Sequence, residues 1–563
     1  MHDLVIRGAK IVDGTGAPAF TGDIAIDDDR ITEAGGTAAK GARELDGDGL
    51  IAAPGWVDVH THYDGQATWD PEMTPSSWHG VTTVVMGNCG VGFAPVRPGG
   101  ESFLIELMEG VEDIPGTALH EGIDWNWETF AEYLDALEAT PRVMDIAAQV
   151  PHAAVRAYVL GDRAHDEANA DEISEMADIV ETALRAGAVG FTTSRTLLHS
   201  SKHGLIPGTN VAPDELIAIG DAMGRAGHGV FEMVSDHQGR EPEREWLVDL
   251  ATRSGCTVTY ALAQAPYAPD AYRESLEDAE RCASEGITIV PQVSSRPTGM
   301  LFGLQSSLHP FITHPTYRPL REMPLAERVA RLRDPEVREA LLAEKPATEN
   351  VIATTLITRW AQIFPLGDPP DYEPAPATSV AAVAEREGRS PEAVVLDWLL
   401  ERDGKALLFA PLASYVAFDH DVIREMMTHP RTVLGLSDGG AHCGLICDAS
   451  MPTTLLTHWV RDRSRGERLS VEQAVHLQTG RTAATYGFRD RGTLSPGLRA
   501  DLNLIDLEGM RLHAPEMVFD LPAGGRRLIQ RVDGYRATVV AGRVTFVDGE
   551  PTGERPGRLV RAS

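Results

Sequence analysis

The chain has 563 residues, 43% of them hydrophobic and 24% charged, which is the composition of an ordinary globular protein with a large core domain. Its formal net charge of −33 excludes nucleic acid and anionic membrane surfaces as expected partners, because their phosphates would repel it. The five cysteines are sparse, no apolar run is long enough to span a bilayer, and the first residues lack a signal-peptide pattern. These features predict a cytoplasmic location.

Strand-like runs separated by turns occupy both ends of the chain. Leu4–Ile6 is one at the start, and Arg499–Asp506 and Ala537–Val547 are two near the end. Neither end is large enough to hold a core alone. We therefore expect residues 1–54 and 491–563 to form one composite β domain, a small β-sandwich.

The central body, residues 55–490, alternates short apolar runs with helix-length amphipathic segments. Eight such runs are visible: Trp56–His62, Val81–Met86, Asp145–Val150, Ala188–Thr193, Gly229–Val234, Thr257–Leu262, Ile287–Val293 and Thr432–Leu436. Helical patterns lie between most of them, for example at Asp171–Ala186 and at Asp214–Ala226, which follows a proline. This alternation predicts an α/β protein of the (β/α)8 TIM-like barrel type.

The stretch from about 300 to 400 is longer than an ordinary barrel connection and is rich in proline and charge. It contains helical patterns at Leu325–Leu332 and Ser390–Arg402. We expect it to fold as a lid or subdomain over the strand ends.

A metal-binding pattern stands in the first of the eight runs, where His60 and His62 are separated by one residue. Alternate side chains of a strand point the same way, so both imidazoles would project from one face. Two imidazoles at this spacing suit zinc if other strands supply further ligands. The alternative is a pair of surface histidines on an edge strand.

Further candidates follow the other strands, whose ends would meet at one mouth of a barrel. Asp438, after the eighth run, reaches His60 and His62 only if the ring of strands closes. It is then expected to bind the metal and to act as general base towards metal-activated water, unless Ser437-Asp-Gly-Gly440 is a plain turn. Cys89, in Asn-Cys-Gly after the second run, is either a metal ligand or a buried structural cysteine.

These motifs together resemble those of the amidohydrolase superfamily. The motifs are Ala53-Pro-Gly55, Asp58-Val-His-Thr-His62 and Ser437-Asp-Gly439, and the run Gly80–Pro95 is similar to that of the D-aminoacylase (N-acyl-D-amino-acid deacylase) branch. The resemblance extends along nearly the whole chain. It implies a metal-dependent hydrolase of an amide C–N bond, with ligands carried over by position onto His60, His62, Cys89 and Asp438.

The sequence also departs from that branch, which places metal-binding histidines at the ends of strands five and six. Neither motif position carries a histidine here, and strand four offers no lysine for carboxylation. Glu232 on strand five is the first candidate replacement, because an oxygen ligand on a barrel strand can face inward, and a buried carboxylate without a cation would be costly. The others are Asp236, Gln264, His199 and His203. His237 lies just past strand five, where alternation would turn it away from Glu232.

An N-acyl amino acid has a free carboxylate, which a guanidinium group can bind through two parallel hydrogen bonds. Arg296 is the first candidate for this substrate-binding role and Arg195 the second, although either could instead pair with an acid of the protein. His152 and His442 lie near the predicted mouth and are candidates to polarise the scissile carbonyl, or to support another residue.

We therefore predict an amide hydrolase that binds one or two divalent ions, most naturally Zn²⁺, and acts on a small N-acyl (D-)amino acid or related amide. Two alternatives stay open: hydrolysis of a cyclic amide or imide, lactone or aryl amide, and a non-catalytic scaffold. The substrate, its stereochemistry and the oligomeric state, including a homo-oligomer, are not determined by the sequence.

Overall fold

The structure is a computed structural model that describes residues 1–236, 241–347 and 351–562. It is a mixed α/β fold, as predicted, with one large sheet formed by the chain ends and a parallel sheet formed by the central body. His237 lies outside the described residues, so its predicted orientation is not tested.

Both ends of the chain contribute to a single nine-stranded sheet. Its strands are His2–Ile11, Phe20–Asp27, Arg30–Ala34, Gly41–Asp46, Ile51–Pro54, Leu502–Ile505, Tyr535–Val540, Arg543–Val547 and Glu550–Pro551. Ile51–Pro54 joins the two ends, because it pairs parallel with the end of His2–Ile11 and antiparallel with Leu502–Ile505. Buried aliphatic side chains from both ends form one hydrophobic cluster on this sheet. The expected β-sandwich is not confirmed, since these strands are hydrogen-bonded in one sheet.

Six strands of the central body form a parallel sheet whose order in space follows the order in the sequence. They are Trp56–Asp58, Val81–Met86, Asp145–Pro151, Gly190–Arg195, Val230–Ser235 and Thr257–Tyr260. Every residue of Val81–Met86 is buried, as expected for a β-branched strand with both faces covered. The carboxyl ends of the six strands therefore lie along one edge.

The seventh and eighth predicted runs form a separate parallel pair, Gln292–Val293 with Val433–Leu434. Three parallel bridges flank this pair: Val258 with Ile289, Ala261 with Gln292, and Thr61 with Gly439. The pair therefore lies between the last and the first strands of the six-stranded sheet. Its regular strands are shorter than the sequence predicted.

Some α-helices pack against the main hydrophobic cluster of the central body, and those of residues 325–399 pack against a separate cluster. The α-helices are Glu101–Glu112, Gly116–Gly122, Phe130–Ala139, His152–Leu160, Ala170–Arg185, Pro213–Ala226, Glu241–Ser254, Ala271–Ser284, Leu325–Arg333, Pro335–Ala343, Val351–Ile357, Val380–Glu387, Pro391–Leu399, Asp421–Thr428, Met451–Thr454, Val471–Gln478 and Gly480–Thr485, and Leu455–Asp462 is a π-helix. Ala170–Arg185 begins one residue before the predicted helix, because Asn169 and Glu172 form a capping box there.

The segment between the seventh and eighth runs has a hydrophobic cluster of its own, with Phe302, Leu332 and Val395 fully buried. Its strands Gly299–Phe302, Phe364–Pro365 and Leu408–Pro411 form a three-stranded antiparallel sheet. The remaining short strands are Ser200–Ser201, Gly204–Leu205, Arg511–Leu512, Glu516–Leu521, Gly525–Ile529 and Val532–Asp533. The segment therefore has a core of its own, and its folding as an inserted subdomain stays a prediction.

Among the described residues, no helix has both the length and the apolar character that crossing a bilayer requires. All five cysteines are buried free thiols.

Candidate metal centre

Three side chains from two strand ends converge at the carboxyl edge of the parallel sheet. A ligand atom of each of His60, His62 and Cys89 lies within 4.8 Å of the other two, and all three side chains are buried. The Cys89 sulfur is 3.4 Å from Nε2 of His60. The structure thus brings together the imidazole pair and the cysteine that the sequence singled out.

The two histidines lie just beyond the regular strand Trp56–Asp58 rather than within it. The chain bends at His60 and then continues beside Gly439, because the His62 amide donates to the Gly439 carbonyl at 2.8 Å and Thr61 forms a parallel bridge with the same residue. The Thr61 hydroxyl donates to the Val85 carbonyl at 2.8 Å. Side-chain alternation therefore separates Thr61 from the two imidazoles, as the spacing predicted.

Cys89 lies in a tight turn after the strand Val81–Met86. Its φ is +57°, an uncommon conformation for a residue other than glycine. Asn88 secures the turn, since its amide nitrogen donates to the Thr61 and Val85 carbonyls at 3.0 and 3.1 Å. The backbone thus holds the thiol towards the histidines at the expense of local strain.

Gln292, on the seventh strand, fixes the orientation of the His60 ring. Its Oε1 is 2.9 Å from His60 Nδ1. A carbonyl oxygen can only accept, so Nδ1 carries the proton and Nε2 presents its lone pair to Cys89 and Asp438. Metal-binding histidines are characteristically oriented in this way.

Asp438 meets these histidines from the far end of the chain. Its Oδ1 lies 3.4 Å from Nε2 of His60 and 3.9 Å from Nε2 of His62. The Asp438 amide also donates to the His60 carbonyl at 3.1 Å. Burial, aided by the charges of Asp448 and Asp58, raises the pKa of Asp438 to about 8. A nearby cation would reverse that shift.

Glu232, the candidate replacement on strand five, also reaches the group. One carboxylate oxygen accepts the Cys89 amide at 3.3 Å, and the other is 4.0 Å from His60 Nδ1. The side chain is fully buried, and burial raises the pKa of Glu232 to about 8.

Glu112 is a further acid at the centre that the sequence analysis did not identify. It ends the helix Glu101–Glu112, and its two oxygens lie 3.5 Å from His62 Nδ1 and 3.5 Å from His442 Nε2. The position of Glu112 in the helix could have identified it. It lies on the same buried face as Leu104 and Met108, where a carboxylate is unexpected. Burial, with the charges of neighbouring acids, raises its pKa well above the usual range.

His442 stands at the same mouth, as its predicted role requires. Its Nε2 is 3.8 Å from Asp438 Oδ2, and its side chain is 21% exposed, against 14% for Asp438. These two residues are therefore the members of the group that solvent or a small molecule can reach.

The donor set fits a divalent metal ion. Both ring nitrogens of His62 and one oxygen each of Glu112 and Glu232 are buried without a hydrogen-bond partner. Such atoms are costly unless a cation or a hydrogen bond compensates them. Burial and the surrounding acids raise the pKa of the Cys89 thiol well above its usual range, so a thiolate there requires a cation. Imidazole, thiolate and carboxylate together are zinc donors.

The structure places His152 in another network. Its Nδ1 is 2.8 Å from the Thr193 hydroxyl and its Nε2 is 2.7 Å from Glu215. Glu215 also pairs with Arg156. Both ring nitrogens of His152 therefore have partners within the protein, and its role in polarising a carbonyl stays a prediction.

Arg296 likewise has internal partners. Its guanidinium donates to Asp448 at 2.7 Å and stacks 3.9 Å from the centre of the Tyr372 ring. Hydroxyls of Ser450 and Thr454 accept two more of its bonds at 3.0 and 3.1 Å. Arg296 thus forms the salt bridge to an acid of the protein that was its alternative role. Its contact with a substrate carboxylate stays a prediction.

Arg195 ends the strand Gly190–Arg195 and pairs with Glu243 at 2.8 Å. Its side chain is 12% exposed, whereas that of Arg296 is 1% exposed. It is therefore the more accessible of the two candidate arginines.

The remaining candidate replacement ligands have hydrogen-bond partners of their own, although the charges of His442 and His60 add to burial in lowering the pKa of His199. Asp236 accepts from the Thr196 hydroxyl at 2.5 Å, and the Gln264 amide donates to the Pro269 carbonyl at 3.1 Å. His203 pairs with Glu106 at 2.6 Å. His199, half-buried, is hydrogen-bonded to Ser194 at 2.9 Å.

Comparison with known proteins extends these observations. The model of the amidohydrolase family matches residues 43–546. The N-acyl-D-aspartate deacylase of Alcaligenes xylosoxydans xylosoxydans is 28% identical, over 99% of this chain and 95% of its own, and the D-aminoacylase of the same organism is 27% identical, over 99% and 97%.

Two solved structures share the fold along the full length of both chains. One is a D-aminoacylase studied for its binuclear metal centre, with a TM-score of 0.66 and 23% identity. The other is the N-acyl-D-glutamate deacylase of Bordetella bronchiseptica, complexed with zinc and a phosphonate inhibitor, with a TM-score of 0.65 and 23% identity.

Proposed function

Because this chain belongs to the amidohydrolase family, we propose that it is a metal-dependent hydrolase that cleaves the amide bond of N-acyl-D-amino acids. The observation that carries the proposal is the meeting of His60, His62, Cys89 and Asp438 at a place where buried nitrogen and oxygen atoms have no hydrogen-bond partner and a cation would compensate them. The names of the full-length relatives, which act on N-acyl-D-aspartate and N-acyl-D-glutamate, support the substrate class.

We further propose that the eight strands close into a (β/α)8 barrel over residues 55–490, with a subdomain inserted at about 300–400. The composite β domain would comprise residues 1–54 and 491–563. The parallel pair between the sixth and first strands, with its flanking bridges, supports closure. Closure matters for function because Asp438 and the two histidines come from opposite ends of the barrel sequence.

The ligands proposed for the metal are His60, His62, Cys89 and Asp438, with Glu232 where other members of the branch have histidine. When bound, a divalent ion polarises a carbonyl and lowers the pKa of water from about 15.7 towards 7.

Asp438 is the proposed general base, and later the acid that protonates the departing nitrogen. Its accessible carboxylate stands between His60 and the surface of the site, where it can accept a proton from water and pass it on. His442, 3.8 Å from Asp438, is proposed to donate a hydrogen bond to the carbonyl oxygen as negative charge develops there. Arg195 is proposed to bind the substrate carboxylate.

The direct test is hydrolysis of N-acetylated amino acids by the zinc-loaded protein, with release of free amine as the readout. We expect turnover of D-enantiomers in preference to L-enantiomers. Turnover of only cyclic imides or lactones would establish the alternative substrate class. A metal-loaded protein that hydrolyses none of these compounds would favour the scaffold.

Asp438→Asn tests the assigned base. We expect kcat/KM to fall by about 10²–10⁴-fold, because the amide cannot accept the proton, while the histidines and Cys89 still hold metal. Asp46→Asn, at an exposed strand end of the terminal sheet, should leave kcat/KM unchanged. Full activity of Asp438→Asn would exclude this role.

A further inference from the structure

A second group of metal-ligand side chains lies apart from the centre described above. Ligand atoms of Glu373, His420 and His458 lie within 4.8 Å of one another. None of the three belongs to the His60 and Cys89 group. Glu373 precedes the helix Val380–Glu387 of the inserted segment, whereas His420 and His458 follow that segment in the chain.

The spacing of these atoms suits a tetrahedral ion. His420 Nδ1 is 3.1 Å from His458 Nε2, and the latter is 3.2 Å from Glu373 Oε2. Ligands bound tetrahedrally to zinc at about 2.0–2.1 Å stand roughly 3.3 Å apart. Two imidazoles and one glutamate form a known three-ligand set for zinc, with a fourth position open to water.

The hydrogen bonds around His420 prepare it as a ligand. Its Nε2 donates to the Tyr372 carbonyl at 2.8 Å, so Nδ1 carries the lone pair and directs it at the group. The His420 amide donates to Glu373 Oε1 at 2.7 Å and orients that carboxylate. Metal ligands are characteristically oriented by such contacts with neighbouring groups.

His458 is presented by an unusual helix. Leu455–Asp462 is a π-helix, and the Arg463 amide accordingly donates to the His458 carbonyl five residues earlier, at 2.8 Å. Short π-helical stretches occur frequently at functional sites. The ring of His458 lies 4.9 Å from that of His420 and is 20% exposed, so solvent ions can reach it.

The local charge tolerates a cation. Arg463 pairs with Glu373 at 3.2 Å and with Asp421 at 2.7 Å, and the Arg465 guanidinium donates to the Glu373 carbonyl at 2.8 Å, so the two acids balance the two guanidinium groups when the imidazoles are neutral. Each carboxylate oxygen has two acceptor sites, so Glu373 Oε2 can serve Arg463 and an ion together. The net charge of −33 over the whole chain further favours cation binding.

We propose that Glu373, His420 and His458 bind a divalent ion of the zinc type, which fastens the inserted segment to the helices that follow it. Binding forms three coordinate bonds and changes no oxidation state. It requires the neutral His458 ring to carry its proton on Nδ1, so that Nε2 is a free donor to the metal.

Metal content and thermal stability test the proposal. The wild-type protein, His458→Ala and a control, His429→Ala, are saturated with zinc, dialysed and analysed for bound metal. His429 suits the control because it also pairs with a glutamate, Glu280, at 3.1 Å. We expect only His458→Ala to lose one equivalent of zinc, and its zinc-dependent rise in Tm to be smaller than that of the wild type because the centre at His60 and His62 still binds zinc. Equal metal content in all three proteins would overturn the proposal.

Two further measurements locate the bound ion, and the second of them needs only the wild-type protein. In cobalt-loaded protein, absorption from a Cys89 thiolate should be the same in His458→Ala and wild type, while the intensity of the d–d bands falls. Zinc-edge anomalous diffraction of the wild type should show density between Glu373 and His458. Density only near His60 and His62 would refute this site and leave the proposed hydrolase function unaffected. The variant Asp438→Asn should still bind the ion at His458.

Discussion

At the scale of single residues, the candidate metal centre contains several buried carboxyl groups that resist ionisation when no cation is bound. Burial raises the pKa of Glu232 and of Asp438 to about 8, and raises that of Glu112 well above its usual range. Burial lowers the pKa of His60 to about 4, so this ring is neutral, as a ligand must be. Acids that resist ionisation beside neutral imidazoles are the expected state of a metal site before its cation binds.

Glu112→Gln tests whether Glu112 positions His62. Its carboxylate, 3.5 Å from His62 Nδ1, can hold that ring so that Nε2 faces the metal. We expect a metal affinity about 10–100-fold lower, measured by competition with a chelator. Glu109→Gln, on the exposed face of the same helix, is the matched control. Unchanged affinity in Glu112→Gln would show that Glu112 has no part in ordering the site.

A pH experiment addresses the network of His152. Burial tends to raise the pKa of Glu215, but the bonds from His152 and Arg156 outweigh it and lower the value to about 2. A depressed carboxyl pKa stabilises the folded state above the ordinary value of about 4.5, and this contribution is lost as pH falls towards 2. Glu215→Gln should therefore flatten the decline of unfolding free energy between pH 5 and pH 3, measured by urea denaturation. A slope equal to that of the wild type would contradict the assigned shift.

At the scale of secondary structure, the turn after Val81–Met86 decides where Cys89 points. Gly87 has a φ of +83°, and a Cβ there would lie 2.4 Å from the Gln149 carbonyl oxygen. Only glycine fits both the conformation and the close approach. The turn therefore depends on the neighbouring strand Asp145–Pro151 as much as on its own sequence.

Gly87→Ala should displace this turn and weaken metal binding. Gly99→Ala is the matched control, because Gly99 has a similar φ of +87° with nothing within 4 Å of the added Cβ. We expect both to lose about 1–2 kcal/mol of stability from the left-handed backbone, and only Gly87→Ala to lose more and to release zinc. Equal stability and equal zinc content in both variants would show that the contact with Gln149 is unimportant.

At the scale of the whole molecule, a buried network of ion pairs joins the parallel sheet to the residues that precede the strand Leu502–Ile505 of the nine-stranded sheet. Asp145 begins the third parallel strand and lies 2.7 Å from Arg491 and 2.9 Å from Arg499. All three side chains are at most 2% exposed. Removing one member leaves charges buried without compensation, which is strongly destabilising.

Asp145→Asn should accordingly lower the free energy of unfolding by about 3–5 kcal/mol, measured by chemical denaturation. Asp29→Asn is the control, because Asp29 also faces Arg499, at 3.6 Å, but is 41% exposed. An exposed pair of this kind should contribute about 1 kcal/mol or less. Similar losses in both variants would mean that burial does not set the strength of this network.

The sequence predicted the mixed α/β fold and the union of the two chain ends well, because strand and helix patterns are local and each of the eight runs carries its own periodicity. It did not predict a single nine-stranded sheet, since whether strands join edge to edge or stack face to face depends on long-range pairing. The predicted bounds of the helix Ala170–Arg185 were accurate to one residue at each end. Its capping box lies within four consecutive residues, Asn169–Glu172, and is therefore a local feature of the sequence.

By itself, the sequence determined the order of the elements and identified His60, His62, Cys89 and Asp438, because spacing along one strand and turn chemistry at a strand end are properties of short segments. Tertiary structure alone decided that Glu112 lies beside His62 and that the Arg296 guanidinium binds within the protein. The physical reason is that a charge acts over a few ångströms in space, and the residues that meet there are far apart in the chain.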